Sequence, residues 1–154
     1  MPQIIQATTD EHMDEARRIF TEYEEWLGVS LCFQGFDAEM AGLPGKYAPP
    51  EGRLLLAIEN AEVAGCVAFR PLDDEICEMK RLFVRPAFQG SGLGRDLIEE
   101  LIAEARSAGY IKMRLDSWIP RMGKAIEMYR RHGFYEIEPY NVNPYEMIFM
   151  ELVL

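Results

Sequence analysis

Residues 85–105 read RPAFQGSGLGRDLIEELIAEA, and four small residues, Gly90, Ser91, Gly92 and Gly94, fall within five positions of that stretch. Glycine gives up more backbone entropy on folding than any other residue, so the cluster marks a place where the backbone itself is needed. Immediately after it, Leu93, Leu97, Ile98, Leu101, Ile102 and Ala105 recur at helical spacing on one face. Before it, residues 75–86 (EICEMKRLFVRP) have the composition of a strand that stops ahead of Pro86. A glycine-rich connection between strand and helix serves either as a tight turn at positive φ or as a cradle for an anion. In a cradle, uncovered N–H groups at the helix start point at phosphate oxygens. Three alternating glycines with a serine, directly ahead of a long helix, favour the cradle.

Outward from this unit, the chain alternates strand and helix patterns. Residues 3–9 read as a short first strand, and Thr9 or Asp10 is positioned to cap a helix carrying Ala16, Ile19, Phe20, Tyr23, Trp26 and Leu27 on its inner face. Glycine and proline punctuate residues 28–52, with a short helix expected near 37–41. Residues 53–59, 63–72 and 75–86 form three successive strand patterns, the first turn falling at Asn60-Ala61-Glu62. After the central helix, which ends at Gly109, the expected elements are a strand at 110–118, a helix at 121–133 and strands at 134–140 and 145–154. The order is β-α-(α)-β-β-β-α-β-α-β-β. This is an α/β (α+β) mixture whose middle is an antiparallel meander, expected to form one domain over residues 1–154.

Composition narrows the functional classes. The chain has 154 residues with a formal net charge of −10, which opposes the phosphate-driven binding of nucleic acid. The same field favours cationic ligands such as amines, although solubility alone accounts for many acidic surfaces. Cys32, Cys66 and Cys77 are odd in number and lack ligand spacing, and His12 and His132 are the only histidines, so no metal site is expected. The first residues carry neither a basic segment nor a long apolar run, and no stretch reaches the length of a membrane span. A reduced, cytoplasmic protein without membrane or nucleic-acid partners is the expectation.

Among phosphate-binding motifs, a P-loop requires Gly-Lys-Ser/Thr, whereas here Gly94-Arg95-Asp96 follows. A dinucleotide fingerprint opens a first βαβ unit with G-x-G-x-x-G, and the glycines here lie beyond mid-chain after a meander. Gln89-Gly90-Ser91-Gly92-Leu93-Gly94 instead resembles the Q/R-x-x-G-x-G/A motif of the GNAT superfamily of acetyl-CoA-dependent N-acetyltransferases. Residues 125–134 (AIEMYRRHGF) are similar to that family's A-x-x-x-Y-x-x-x-G-F. The resemblance runs from about Leu54 to the C-terminus and implies a mixed, mostly antiparallel central sheet flanked by helices.

That resemblance implies acetyl-CoA as co-substrate. Its pyrophosphate would rest on the amides of Gln89, Gly90, Ser91, Gly92, Leu93 and Gly94, with Arg95 adding a cation. Leu82, Phe83 and Val84 would offer main-chain groups to the pantetheine arm, and the N–H of Leu82 would polarise the thioester carbonyl. Glu78 is placed where several members carry a catalytic glutamate, with Asp116 as the alternative base. A surface position for Glu78 is the competing reading, since Glu75 and Lys80 look solvated. Tyr129 matches the tyrosine that hydrogen-bonds the coenzyme sulfur and protonates the leaving thiolate. One position departs from the family: Met122 stands where an asparagine contact to the coenzyme is common.

The resemblance implies a primary amine acceptor, read here as that of a small molecule attacking directly within a ternary complex. Phe33, Phe36 and Tyr47 would form an aromatic wall, with Asp37 and Glu39 able to meet a cation. A protein lysine or N-terminal acceptor, and a non-catalytic acyl-CoA sensor favoured by Met122, are the alternatives. Analogy with the family also suggests a homodimer.

Overall fold

The computed structural model describes residues 2–28, 31 and 35–154. Strand β1 (Gln3–Gln6) leads into helix α1 (Asp10–Leu27). Of the two capping candidates, Thr9 takes the role. Its hydroxyl accepts the N–H of His12 at 3.1 Å, and His12 Nδ1 accepts the N–H of Thr9 at 3.3 Å. This reciprocal cap satisfies donors that the first turn otherwise leaves unpaired. Gly28, at φ +76°, ends the helix in the left-handed conformation that glycine adopts without strain. Ala16, Ile19, Phe20, Tyr23 and Leu27 of α1 are buried, and Trp26 is half-buried.

After the short α2 (Phe36–Ala41) come three antiparallel strands: β2 (Arg53–Glu59), β3 (Glu62–Pro71) and β4 (Ile76–Val84). Asn60 and Ala61, both at positive φ, make the two-residue turn between β2 and β3. Helix α3 (Leu93–Ser107) then crosses to β5 (Lys112–Trp118), which is followed by α4 (Gly123–Arg131), β6 (Tyr135–Ile137) and β7 (Met147–Val153). The seven strands form one sheet in the order β1-β2-β3-β4-β5-β7-β6, with every neighbouring pair antiparallel except β4 and β5. The element order matches the sequence expectation throughout.

Helix α3 packs on β2, β3 and β4 through Leu93, Leu97, Ile98, Leu101 and Ile102, all of them buried. Gly65 makes this close approach feasible: a Cβ there would stand 3.0 Å from both Leu97 Cδ1 and the carbonyl oxygen of Phe83. The opposite side is covered by α1, whose Tyr23 and Trp26 meet Phe83 of β4 at ring-centroid distances of 5.8 Å. Each fully buried Leu or Phe on these faces contributes about 1.5–3 kcal/mol of transfer free energy. Among the described residues, no helix is long and apolar enough to cross a membrane.

Candidate active site

The parallel pairing of β4 with β5 lasts for only three positions: Ile76↔Lys112, Cys77↔Met113 and Glu78↔Arg114. Beyond Glu78 the strands part, while β5 stays paired with β7 as far as Trp118↔Met147. The cause lies on the other edge of β4. Cys66 pairs with Phe83 but Ala68 pairs with Lys80, so three steps on β4 oppose two on β3. The extra residue sits at Arg81–Leu82, and Arg81 takes φ +65°, a conformation that costs a bulky side chain free energy. The thiol of Cys66 donates to the Arg81 carbonyl at 3.1 Å and pins the bulge. A bulge bends its strand, and here it turns β4 away from β5.

A cavity occupies the resulting gap. Met79, Lys80, Arg81 and Leu82 of β4 and Leu115, Asp116, Ser117 and Trp118 of β5 line it. Tyr23 and Leu27 close it from α1, and Met122 and Tyr129 from the α4 region.

The glycine loop begins where β4 ends. Gly90 and Gly92 have φ of +87° and +85°, and α3 starts at Leu93 with no side chain capping its amides. A Cβ on Gly92 would lie 2.9 Å from Arg95 Nη2, so the guanidinium rests directly against the bare loop backbone. Arg95 is also paired with Asp96 at 3.2 Å. Gln89 braces the loop by donating from Nε2 to the Val84 carbonyl at 2.9 Å, and Ser91 Oγ donates to the Phe88 carbonyl at 3.0 Å. Uncapped amides, open space around Gly90 and an adjacent guanidinium together suit a pyrophosphate. A Cβ on Gly94 would be 3.5 Å from Met128 Cε, which brings the loop against the helix that carries Tyr129.

The charged residues of β4 are arranged differently from the sequence expectation. Lys80 is buried rather than solvated, because two carboxylates compensate its charge. Its Nζ lies 3.9 Å from Glu78 Oε1 and 3.9 Å from Asp116 Oδ1. Burial pushes the Lys80 ammonium pKa below its ordinary value, against the pull of Asp116 and Glu78. Glu78 is 1% exposed, and both of its oxygens are engaged: Oε1 accepts from Arg70 Nε at 3.0 Å and Oε2 from the Tyr140 hydroxyl at 2.6 Å. It does not border the cavity. Asp116 does, and its Oδ2 accepts from Asn141 Nδ2 at 3.0 Å. Tyr129 is 3% exposed, and burial, reinforced by Tyr23 and Asp116, holds its hydroxyl pKa above the usual phenol value.

Phe36 and Tyr47 belong to the core rather than to an open aromatic wall, and Phe33 lies outside the described residues. Glu39 does meet a cation, but it is the chain's own Arg81. Lys80 is the participant that sequence reasoning missed. The alternation of charges at 78 and 80 along a strand was the available signal, since it places both on one face. Among the described residues, no group of three or more His, Cys, Asp or Glu is placed to hold a metal ion.

Residues 5–134 match the profile of the acetyltransferase (GNAT) family. The chain belongs to the GNAT family. An uncharacterized N-acetyltransferase of Schizosaccharomyces pombe is 38% identical over 143 residues, covering 91% of this chain and 87% of the relative. An IAA acetyltransferase of Azospirillum brasilense is 31% identical and covers 98% of both chains. A GNAT family acetyltransferase from Elizabethkingia anophelis, solved with acetyl-CoA bound, superposes with a TM-score of 0.66 at 20% identity, covering 99% of this chain and 98% of that one. The protein is therefore an acetyl-CoA-dependent N-acetyltransferase of GNAT fold.

Proposed function

We propose that this GNAT enzyme acetylates the primary amine of a small molecule by direct attack on the thioester in a ternary complex. The observation that carries the reading is the cavity between the diverging strands, which is lined by Asp116, Tyr129 and Leu82 together. The amides of residues 89–94, with Arg95, receive the coenzyme pyrophosphate. Leu82, Phe83 and Val84 offer main-chain groups along the free edge of β4, where an extended pantetheine arm adds as a further strand. When bound, acetyl-CoA supplies the activated acetyl group.

An alkyl ammonium has a pKa of about 10.4, so a proton must leave before attack at neutral pH. Asp116 is assigned as the base in preference to Glu78, because it borders the cavity and its Oδ1 lies 3.9 Å from the Lys80 ammonium, whereas both oxygens of Glu78 accept hydrogen bonds. Glu78 is assigned the supporting task of holding Lys80, Arg70 and Tyr140. The amine nitrogen adds to the thioester carbonyl, whose oxygen takes up negative charge opposite the Leu82 N–H. The C–S bond then breaks, the electron pair leaves with sulfur, and the second proton of the attacking nitrogen passes to the thiolate, giving the amide and the free thiol. Tyr129, kept protonated by burial, donates a hydrogen bond to that sulfur as its charge develops. Full proton transfer from so weak an acid is uphill, so the hydrogen bond is its main contribution.

Thiol release from acetyl-CoA, measured over pools of polyamines, amino acids, aminoglycosides, arylamines and short Lys or N-terminal peptides, tests this reading. Release dependent on one small-amine pool is the expected result. Release with peptides alone moves the acceptor to proteins. Coenzyme binding without release in any pool favours a sensor, and directs attention to Met122.

A further inference from the structure

The β4 bulge is held from outside the sheet as well as from within it. Arg81, the residue at positive φ, sends its guanidinium to α2, where Nε meets Glu39 Oε2 and Nη2 meets Glu39 Oε1, both at 3.0 Å. The pairing is bidentate and almost wholly removed from water, with side-chain exposures of 3% for Arg81 and 15% for Glu39. The guanidinium carbon also lies 5.3 Å from the centroid of the Phe36 ring, and the Tyr47 hydroxyl donates to Glu39 Oε1 at 3.0 Å. Phe36 and Glu39 belong to α2, and Tyr47 to the 3-10 turn Gly45–Tyr47 that follows it. A segment distant in sequence therefore grips the one strained residue that diverts β4 from β5.

We infer that Glu39 is a positioning residue which, through Arg81, holds the bulge open and fixes the β4 edge that receives the pantetheine arm. An isolated arginine in a strand gains nothing from φ +65°; a buried bidentate partner offsets the strain. Without Glu39 the backbone at Arg81–Leu82 relaxes toward regular pairing with β3 and the gap narrows. The glycine loop is left untouched, since Glu39 contacts none of it. The inference rests on the assignment of the gap to the pantetheine arm.

Because the two halves of the coenzyme would use separate parts of the protein, they can be probed separately. ADP presents a pyrophosphate to the loop but no arm to the gap. In Glu39→Ala, ADP affinity stays within about twofold of the parent, while acetyl-CoA loses on the order of tenfold to a hundredfold, the range expected for misplaced contacts. Glu39→Gln keeps one acceptor oxygen against the guanidinium and recovers part of the difference. It also serves as the second variant should the alanine protein fold poorly. Equal losses for ADP and acetyl-CoA, or no loss for either, would overturn the role of Glu39. A parent protein that binds acetyl-CoA no more tightly than ADP refutes the assignment of the gap, and the clamp with it.

Discussion

Asp116 and Glu78 are both carboxylates near one lysine, yet their surroundings give them different work. Asp116→Asn removes the proposed base from the cavity and lowers kcat/KM by about 10²–10⁴-fold with little change in coenzyme affinity, which steady-state kinetics and titration resolve. Glu78→Gln acts on folding instead. It leaves Lys80 with Asp116 alone of its two carboxylates, and weakening this buried network costs about 1–3 kcal/mol, read as a lowered denaturation midpoint. Tyr129→Phe keeps the ring packed against Phe134 at 5.7 Å and removes only the hydroxyl. Turnover falls about tenfold or more while acetyl-CoA binding persists; equal rates would refute the role at sulfur. These residues were unequally visible in the sequence. Gly90, Gly92 and Tyr129 belong to spaced motifs that constrain one another, so a place for them at the coenzyme could be proposed without a structure. The ranking of Glu78 over Asp116 could not be settled that way. The proposed ranking turns on which carboxylate Arg70 and Tyr140 occupy, and the Tyr140 contact joins residues 62 apart in the chain.

Elements followed the sequence closely where apolar periodicity was long. Helix α3 runs over the positions its pattern marks, and Leu97→Ala, at a fully buried site beneath Gly65, costs about 2–5 kcal/mol. Calorimetry would register this as a markedly lower Tm. Strand β6 was harder to delimit. Residues 134–140 have strand composition, but pairing stops at Ile137, and Tyr140 turns away to donate to Glu78. Composition and periodicity carried no mark of the β4 bulge, and only the family resemblance, which assigns main-chain contacts to Leu82–Val84, pointed to it. A glycine at the bend would have signalled positive φ, whereas Arg81 reaches it through Glu39 and Phe36, partners that only folding brings together.

For the whole molecule, buried acids without charge dominate the alkaline behaviour. Burial raises the Tyr23 hydroxyl from 10.0 to about 12 and the Cys77 thiol from 9.0 to about 12, and it raises Tyr47, Tyr129, Tyr140 and Cys66 as well. In the unfolded chain these groups lose protons near their ordinary values, so the folded state binds more protons above about pH 9. Their contribution to stability is complete below that pH and is lost as pH rises toward 12, by about 1.4 kcal/mol per pH unit for each group titrating only when unfolded. Lys80, lowered by burial, works in the opposite sense up to 10.5 and is outnumbered. Urea midpoints compared at about pH 8 and about pH 11 should fall steeply; a flat profile would contradict the burial of these groups. The parting of β4 from β5 has a consequence for how the chain assembles. Strands β1 to β4 form one antiparallel block and β5, β7 and β6 another, and three parallel pairs join them. Each block closes through its own neighbours, whereas the joint must wait for α3 to cross over, a slower and less local event. On refolding from denaturant, helix and sheet signals should therefore return ahead of acetyl transfer, and the delay would measure the time the two blocks take to meet.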